Sequence, residues 1–139
     1  MPATWPRISR TAVASAVLDS SALIAFLSGE TGGQFAGESI AGGLLCSVNL
    51  AEIFAVLMRR GETSARVRTI VALSQVEIVP FDRGLAEACG TLISRTRQNG
   101  LSLADCACLA LGVREKLPVL TADRAWKELD LGLDVRLIR

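Results

Sequence analysis

Four acidic residues stand apart in this chain: Asp19, Glu52, Asp105 and Asp123. Asp19 closes the apolar run that begins at Val13. Glu52 lies in SVNLAEIFAVLM, Asp105 in LSLADCACLAL, and Asp123 just past PVLTA. An Asp in a stretch as apolar as LSLADCACLAL is costly unless something pairs with it. Carboxylates that meet in space repel, and one or more then takes up a proton unless a cation is shared among them. An all-oxygen set without His or Cys suits Mg²⁺ or Mn²⁺. A site of that kind generates hydroxide and stabilises charge at a phosphodiester under attack.

Other chemistries are excluded by composition. The sequence has no histidine and no tyrosine. That removes a Ser-His-Asp triad, a Cys-His pair, HExxH zinc chemistry and any imidazole general base. The four cysteines, Cys46, Cys89, Cys106 and Cys108, form no CxxC pair and sit in apolar segments. They read as reduced core residues of a cytoplasmic protein.

The elements that must position the acids alternate. Short apolar runs at Val13–Leu18, Leu44–Val48, Val76–Pro80, Val119–Thr121 and Val135–Ile138 read as buried strands. Helices are expected at Ala22–Leu27, Gln34–Ile40, from an Asn49 cap to Arg60, at Thr63–Ser74, from Asp82 to about Gln98, from Ser102 to Glu115, and at Ala122–Leu129. Strands alternating with helices indicate an α/β fold with a mostly parallel sheet covered on both faces. Ligands of such sheets bind at the carboxyl ends of the strands.

Asp19 and Asp123 each follow a strand directly, so both lie at that edge. Glu52 is in the first turn of the helix after the second strand, again at the carboxyl edge. Asp105 starts a helix that precedes the fourth strand and runs antiparallel to it. Its first turn therefore returns to the same edge, because ~14 helical residues rise roughly 20 Å, about the height of a sheet of 5–6-residue strands. A plainer reading exists for each acid alone. Asn49-x-x-Glu52 and Ser102-x-x-Asp105 have capping-box spacing, and Asp19 and Asp123 suit helix starts. Convergence of all four on one edge favours the metal site, and a cap also fixes a carboxylate in place.

At 139 residues, half of them hydrophobic, the chain is long enough for one domain with a real core. Its net charge of +1 argues neither for nor against nucleic acid. Lys116 and Lys127 are the only lysines. Arginine suits bidentate phosphate contact, and GC-rich coding gives the same bias. Asp19 interrupts the N-terminal apolar run, and no uninterrupted run reaches the ~18 apolar residues of a membrane span. Residues 1–12 read as a flexible basic arm and 13–139 as the domain.

VLDSSALIAFL, SVNLAEIFAVLMRRG, GLSLADCACLALG and LPVLTADRAWKEL together resemble the PIN-domain ribonucleases, in particular the VapC-type toxins of bacterial toxin–antitoxin pairs. The likeness runs from about residue 16 to 138, in the family's order and spacing. It implies a three-layer sandwich with a parallel sheet of about five strands flanked by helices. It also implies a Mg²⁺- or Mn²⁺-dependent endoribonuclease, an RNA substrate, a cognate antitoxin and a homodimer. Asp19, Glu52, Asp105 and Asp123 match the family's acidic quartet. Asp19, Asp105 and Asp123 are the metal-ligand candidates, the first two foremost for direct contact. Glu52 and Asp123 ligate directly or through water, or orient the nucleophile. Ser21, Asn49 and Thr121 match supporting polar positions, each also readable as a turn or cap residue. Arg124 and Arg83 are candidate phosphate contacts. Two departures stand out: the long N-terminal arm, and Cys106 where the family often has arginine or another polar residue.

Two other classes compete. A signalling receiver also gathers acids around Mg²⁺, but it needs a lysine at a strand's carboxyl end, and Lys116 precedes the fourth strand. A non-catalytic PIN-like module would bind RNA or protein without cutting.

Overall fold

The computed structural model describes residues 14–139; the expected arm at 1–12, and Val13, lie outside the described residues. The elements are β1 (Val17–Leu18), α1 (Ser20–Leu27), α2 (Gly33–Gly37), β2 (Leu44–Cys46), α3 (Ser47–Arg59), α4 (Ser64–Leu73), β3 (Glu77–Val79), α5 (Arg83–Arg95), α6 (Leu103–Glu115), β4 (Val119–Thr121) and β5 (Val135–Leu137). Single 3₁₀ stretches lie at Arg97–Asn99 and Arg124–Glu128. The strands form one sheet in the order β3-β2-β1-β4-β5, and every pairing is parallel. The chain winds outward from β1 to β3 and then returns to the other side of β1 with β4. The point of reversal, between β1 and β4, is where such sheets open a crevice at their carboxyl edge.

Strand alternation divides the core into two. Val17, Leu44, Cys46 and Val119 face one side, where they meet α5, α6 and Trp126. Leu18, Leu45 and Leu120 face the other and pack on α1, α3 and α4. The result is the expected three-layer α/β sandwich with five parallel strands. α6 is buried from Cys106 to Gly112 because it lies between the sheet and α5. Its approach to β4 is close: a Cβ added at Gly112 would sit 2.5 Å from Val119 Cγ2. Only a residue without a side chain lets helix and strand meet so tightly.

Several boundaries differ from the sequence reading. β1 pairs only over Val17–Leu18, since its partner β4 begins after Pro118, which has no N–H to give. β2 stops at Cys46 rather than Val48, and α3 begins at Ser47. Asn49 is therefore not the helix cap; it lies inside the first turn, fully buried. α1 starts at Ser20, two residues earlier than expected, with Asp19 as its N-cap. The expected helix after Asp123 is a 3₁₀ stretch capped by the Asp123 side chain. Among the described residues, no helix is long and apolar enough to cross a membrane. All four cysteines are free and buried.

Candidate active site

The site is built on the first turn of α1. Asp19 ends β1 and caps this helix, accepting the Ser20 N–H at Oδ1 over 2.9 Å. Its other oxygen accepts two hydroxyls, Ser21 Oγ at 2.7 Å and Thr121 Oγ1 at 2.8 Å. Ser21 comes from α1 and Thr121 from the end of β4, so the two central strands are stitched at their carboxyl ends through one carboxylate. Thr121 Oγ1 also accepts the Asp123 N–H at 3.0 Å, and Ser21 Oγ accepts the Ala122 N–H at 2.9 Å. These bonds fix the backbone from which Asp123 projects.

The other flank belongs to Glu52. Its Oε1 accepts Ser20 Oγ at 2.8 Å and Asn49 Nδ2 at 3.2 Å. Asn49 Nδ2 also donates to the Ala104 carbonyl at 3.2 Å, in the first turn of α6. The next residue, Asp105, closes a full capping box: its Oδ2 accepts the Ser102 N–H at 2.9 Å, and its own N–H donates to Ser102 Oγ. Asp123 likewise spends Oδ1 on the Ala125 N–H. Glu52, Asp105 and Asp123 thus each commit one oxygen to the fold and leave the other without a hydrogen bond among the described residues.

The electrostatics are one-sided. The Asp19 side chain is pushed from its ordinary 3.8 up to about 6, first by burial, with the charges of Asp105 and Glu52 adding to the rise; the Ser21 and Thr121 hydroxyls pull the other way. Among the described residues, the ion pairs of Arg60, Arg66, Arg83, Arg114, Arg136 and Arg139 all go to other carboxylates. Among the described residues, the four acids are held by neutral donors alone. Carboxylates gathered at the strand ends with, among the described residues, no basic partner fit a hard divalent cation. Among the described residues, no three Asp, Glu or Cys side chains lie close enough to form a ready ligand set. Water would have to complete such a shell, as Mg²⁺ prefers.

The structure brings Glu52 and Asp105 near enough for their charges to act on Asp19, and links Asp123 to Asp19 through Thr121. Ser21, Asn49 and Thr121 all bond to the acids or to their backbone. Arg124 is exposed next to Asp123. Arg83 makes no hydrogen bond or ion pair with the four acids among the described residues; it starts α5 beside Asp82, which pairs with Arg114 at the other end of α6 from Asp105. Arg83 instead pairs with Glu87 on its own helix. Sequence reasoning missed Ser20. The signal is present, since Asp19 is a good N-cap and makes Ser20 the first helical residue, whereas the expected helix begins only at Ala22.

Residues 16–131 match the family described as PIN domain. No curated protein matches the sequence closely enough to serve as a relative. Among solved structures, a toxin–antitoxin complex from Klebsiella pneumoniae is similar at a TM-score of 0.72 and 21% identity, over 90% of this chain and 98% of that one. A DNA-bound VapBC from Salmonella typhimurium is similar at 0.69 and 14% identity, over 91% and 100%. VapBC-5 from Mycobacterium tuberculosis is similar at 0.56 and 25% identity, over 91% and 99%. A family match over most of the chain, a five-stranded parallel sheet between helices, and acids gathered at its central strand ends lead to one conclusion: the chain belongs to the PIN-domain family.

Proposed function

We propose that this chain is a Mg²⁺- or Mn²⁺-dependent endoribonuclease and the toxin of a type II toxin–antitoxin pair. The observation that carries the reading is that, among the described residues, Asp19, Glu52, Asp105 and Asp123 have no basic partner and are held at one sheet edge by neutral hydroxyl, amide and backbone groups. Asp19 and Asp105 would hold the metal directly, with Asp123 beside them. Glu52 would ligate or orient the attacking water. A bound dication supplies charge neutralisation at the phosphodiester and lowers the pKa of a water molecule. Ser21 and Thr121 keep Asp19 pointed into the crevice and favour its charged form. Arg124, exposed beside Asp123, would take an RNA phosphate. The single-stranded or looped parts of RNA are the accessible substrates of such a site.

The toxin part of the reading draws on the solved neighbours, among them a toxin–antitoxin complex and a member of the VapBC family of toxin–antitoxin systems. It is supported on this chain by an open apolar groove of about 470 Å³ bordered by Phe26, Ile40, Ile70 and Leu73. Phe26 and Leu73, which border it, are exposed large hydrophobic side chains. An antitoxin segment would cover them. The proposal includes a homodimer and, with four free buried thiols, residence in a reducing cytoplasm.

Cleavage of total RNA by the purified chain tests the reading. Activity should require added Mg²⁺ or Mn²⁺, vanish with chelator, and be lost in Asp19→Ala and Asp105→Ala. RNA binding without cleavage under any metal would make the chain a binding module instead.

A further inference from the structure

We propose that Ser20 and Asn49 are positioning residues that lock Glu52 for the metal, and that Asn49 also sets the separation between Glu52 and Asp105. The inference rests on the metal-dependent reading of the site. Both residues donate to the same oxygen, Glu52 Oε1, at 2.8 and 3.2 Å. A carboxylate oxygen has two acceptor directions, so these donors fill Oε1 and leave Oε2 as the outward ligand atom. An unrestrained glutamate has several rotamers open to it and loses that freedom when a ligand holds it. Freezing it in advance moves that cost from metal binding to folding.

The chemistry of the clamp matters as much as its geometry. A guanidinium on Oε1 would hold Glu52 more strongly, yet it would cancel the charge a cation needs. A hydroxyl and an amide orient without neutralising. Asn49 is fully buried, and its Nδ2 divides its bonds between Glu52 on α3 and the Ala104 carbonyl on α6. Ala104 precedes Asp105, which the capping box fixes relative to its own backbone. One amide group therefore ties the two helices that carry Glu52 and Asp105. Its Oδ1 is buried without a partner, so the fold retains this side chain for its NH₂ group at a cost in unmet hydrogen bonding. Ser20 adds a second link, from the helix whose cap is Asp19.

The test is Mn²⁺ affinity by titration calorimetry without RNA, with urea melts of the metal-free protein as control. Ser20→Ala should weaken Mn²⁺ binding roughly tenfold, at the lower end of the 10–100-fold cost of losing a group that supports a ligand, with an unchanged melt. Ser20→Thr, which keeps the hydroxyl, should bind as wild type does. Asn49→Ala should weaken Mn²⁺ more than Ser20→Ala does; should it fail to fold, Ser20→Ala carries the test. In a Glu52→Gln background, Ser20→Ala should cost nothing further. Normal Mn²⁺ affinity in Ser20→Ala, or an equal loss with Glu52 already changed, overturns the clamp. Wild type that binds no Mn²⁺ overturns the metal reading itself, which separates the two failures.

Discussion

Thr121 Oγ1 donates to Asp19 Oδ2 over 2.8 Å, across 102 positions of sequence, and the same oxygen accepts the Asp123 N–H. A single buried hydroxyl thus joins the ends of β1 and β4 and sets two of the four acids. Thr121→Val keeps the shape and removes both bonds. It should destabilise the protein by about 1–3 kcal/mol, the cost of a buried group left unpaired, measured by urea unfolding. Because the Thr121 hydroxyl lowers the Asp19 pKa, the pH profile of cleavage should move toward alkaline values in this variant.

Asp19 itself links charge to stability. Its folded pKa of about 6 lies above its ordinary 3.8. A raised carboxyl pKa means that the native state holds the proton more tightly. The contribution is fully present below the unfolded pKa and is lost as pH rises through the folded one. In chelated protein, the stability of wild type relative to Asp19→Asn should fall by about 2–3 kcal/mol between about pH 4 and pH 7. A flat difference would show that burial does not raise this group.

Gly112 tests whether the fit of α6 on β4 matters. Alanine is the better helix former by ~1 kcal/mol, so propensity alone would favour Gly112→Ala. The added Cβ would meet Val119 Cγ2 at 2.5 Å, and Leu133 is close on the other side. Overpacking of this kind costs about 1–3 kcal/mol, so the clash should win. The melting temperature should drop, and cleavage should fall as well, since α6 carries Asp105.

Arg124 should contribute charge rather than catalysis. Arg124→Ala should weaken RNA binding similarly for all sequences and reduce the slope of log K against log salt by about 0.7, as for one contact to a single strand. Arg83→Ala, at the far end of α6, should leave that slope unchanged.

The acid edge was legible because two rules suffice to build it. Strands joined by helix crossovers are parallel, and residues just past a strand lie at its carboxyl edge; Asp19 and Asp123 follow at once. Asp105 needed only the direction of a helix preceding a strand. The start of α3 was hidden because Val48, apolar and β-branched, resumes the apolar run of LLC after Ser47, so pattern alone extends the strand. Asn49 was consequently read as a cap when it is a buried bridge. The pairings of Asp82 with Arg114 and of Arg83 with Glu87 are set by how side chains meet across and along α5 and α6, which periodicity does not encode.

The most direct measurement of the central claim is anomalous scattering from crystals soaked in Mn²⁺. A single dication shared among the acids predicts a peak at the carboxyl edge between Asp19 and Asp105, absent in Asp105→Asn. An empty edge in crystals of protein that still cleaves RNA with Mn²⁺ would contradict it.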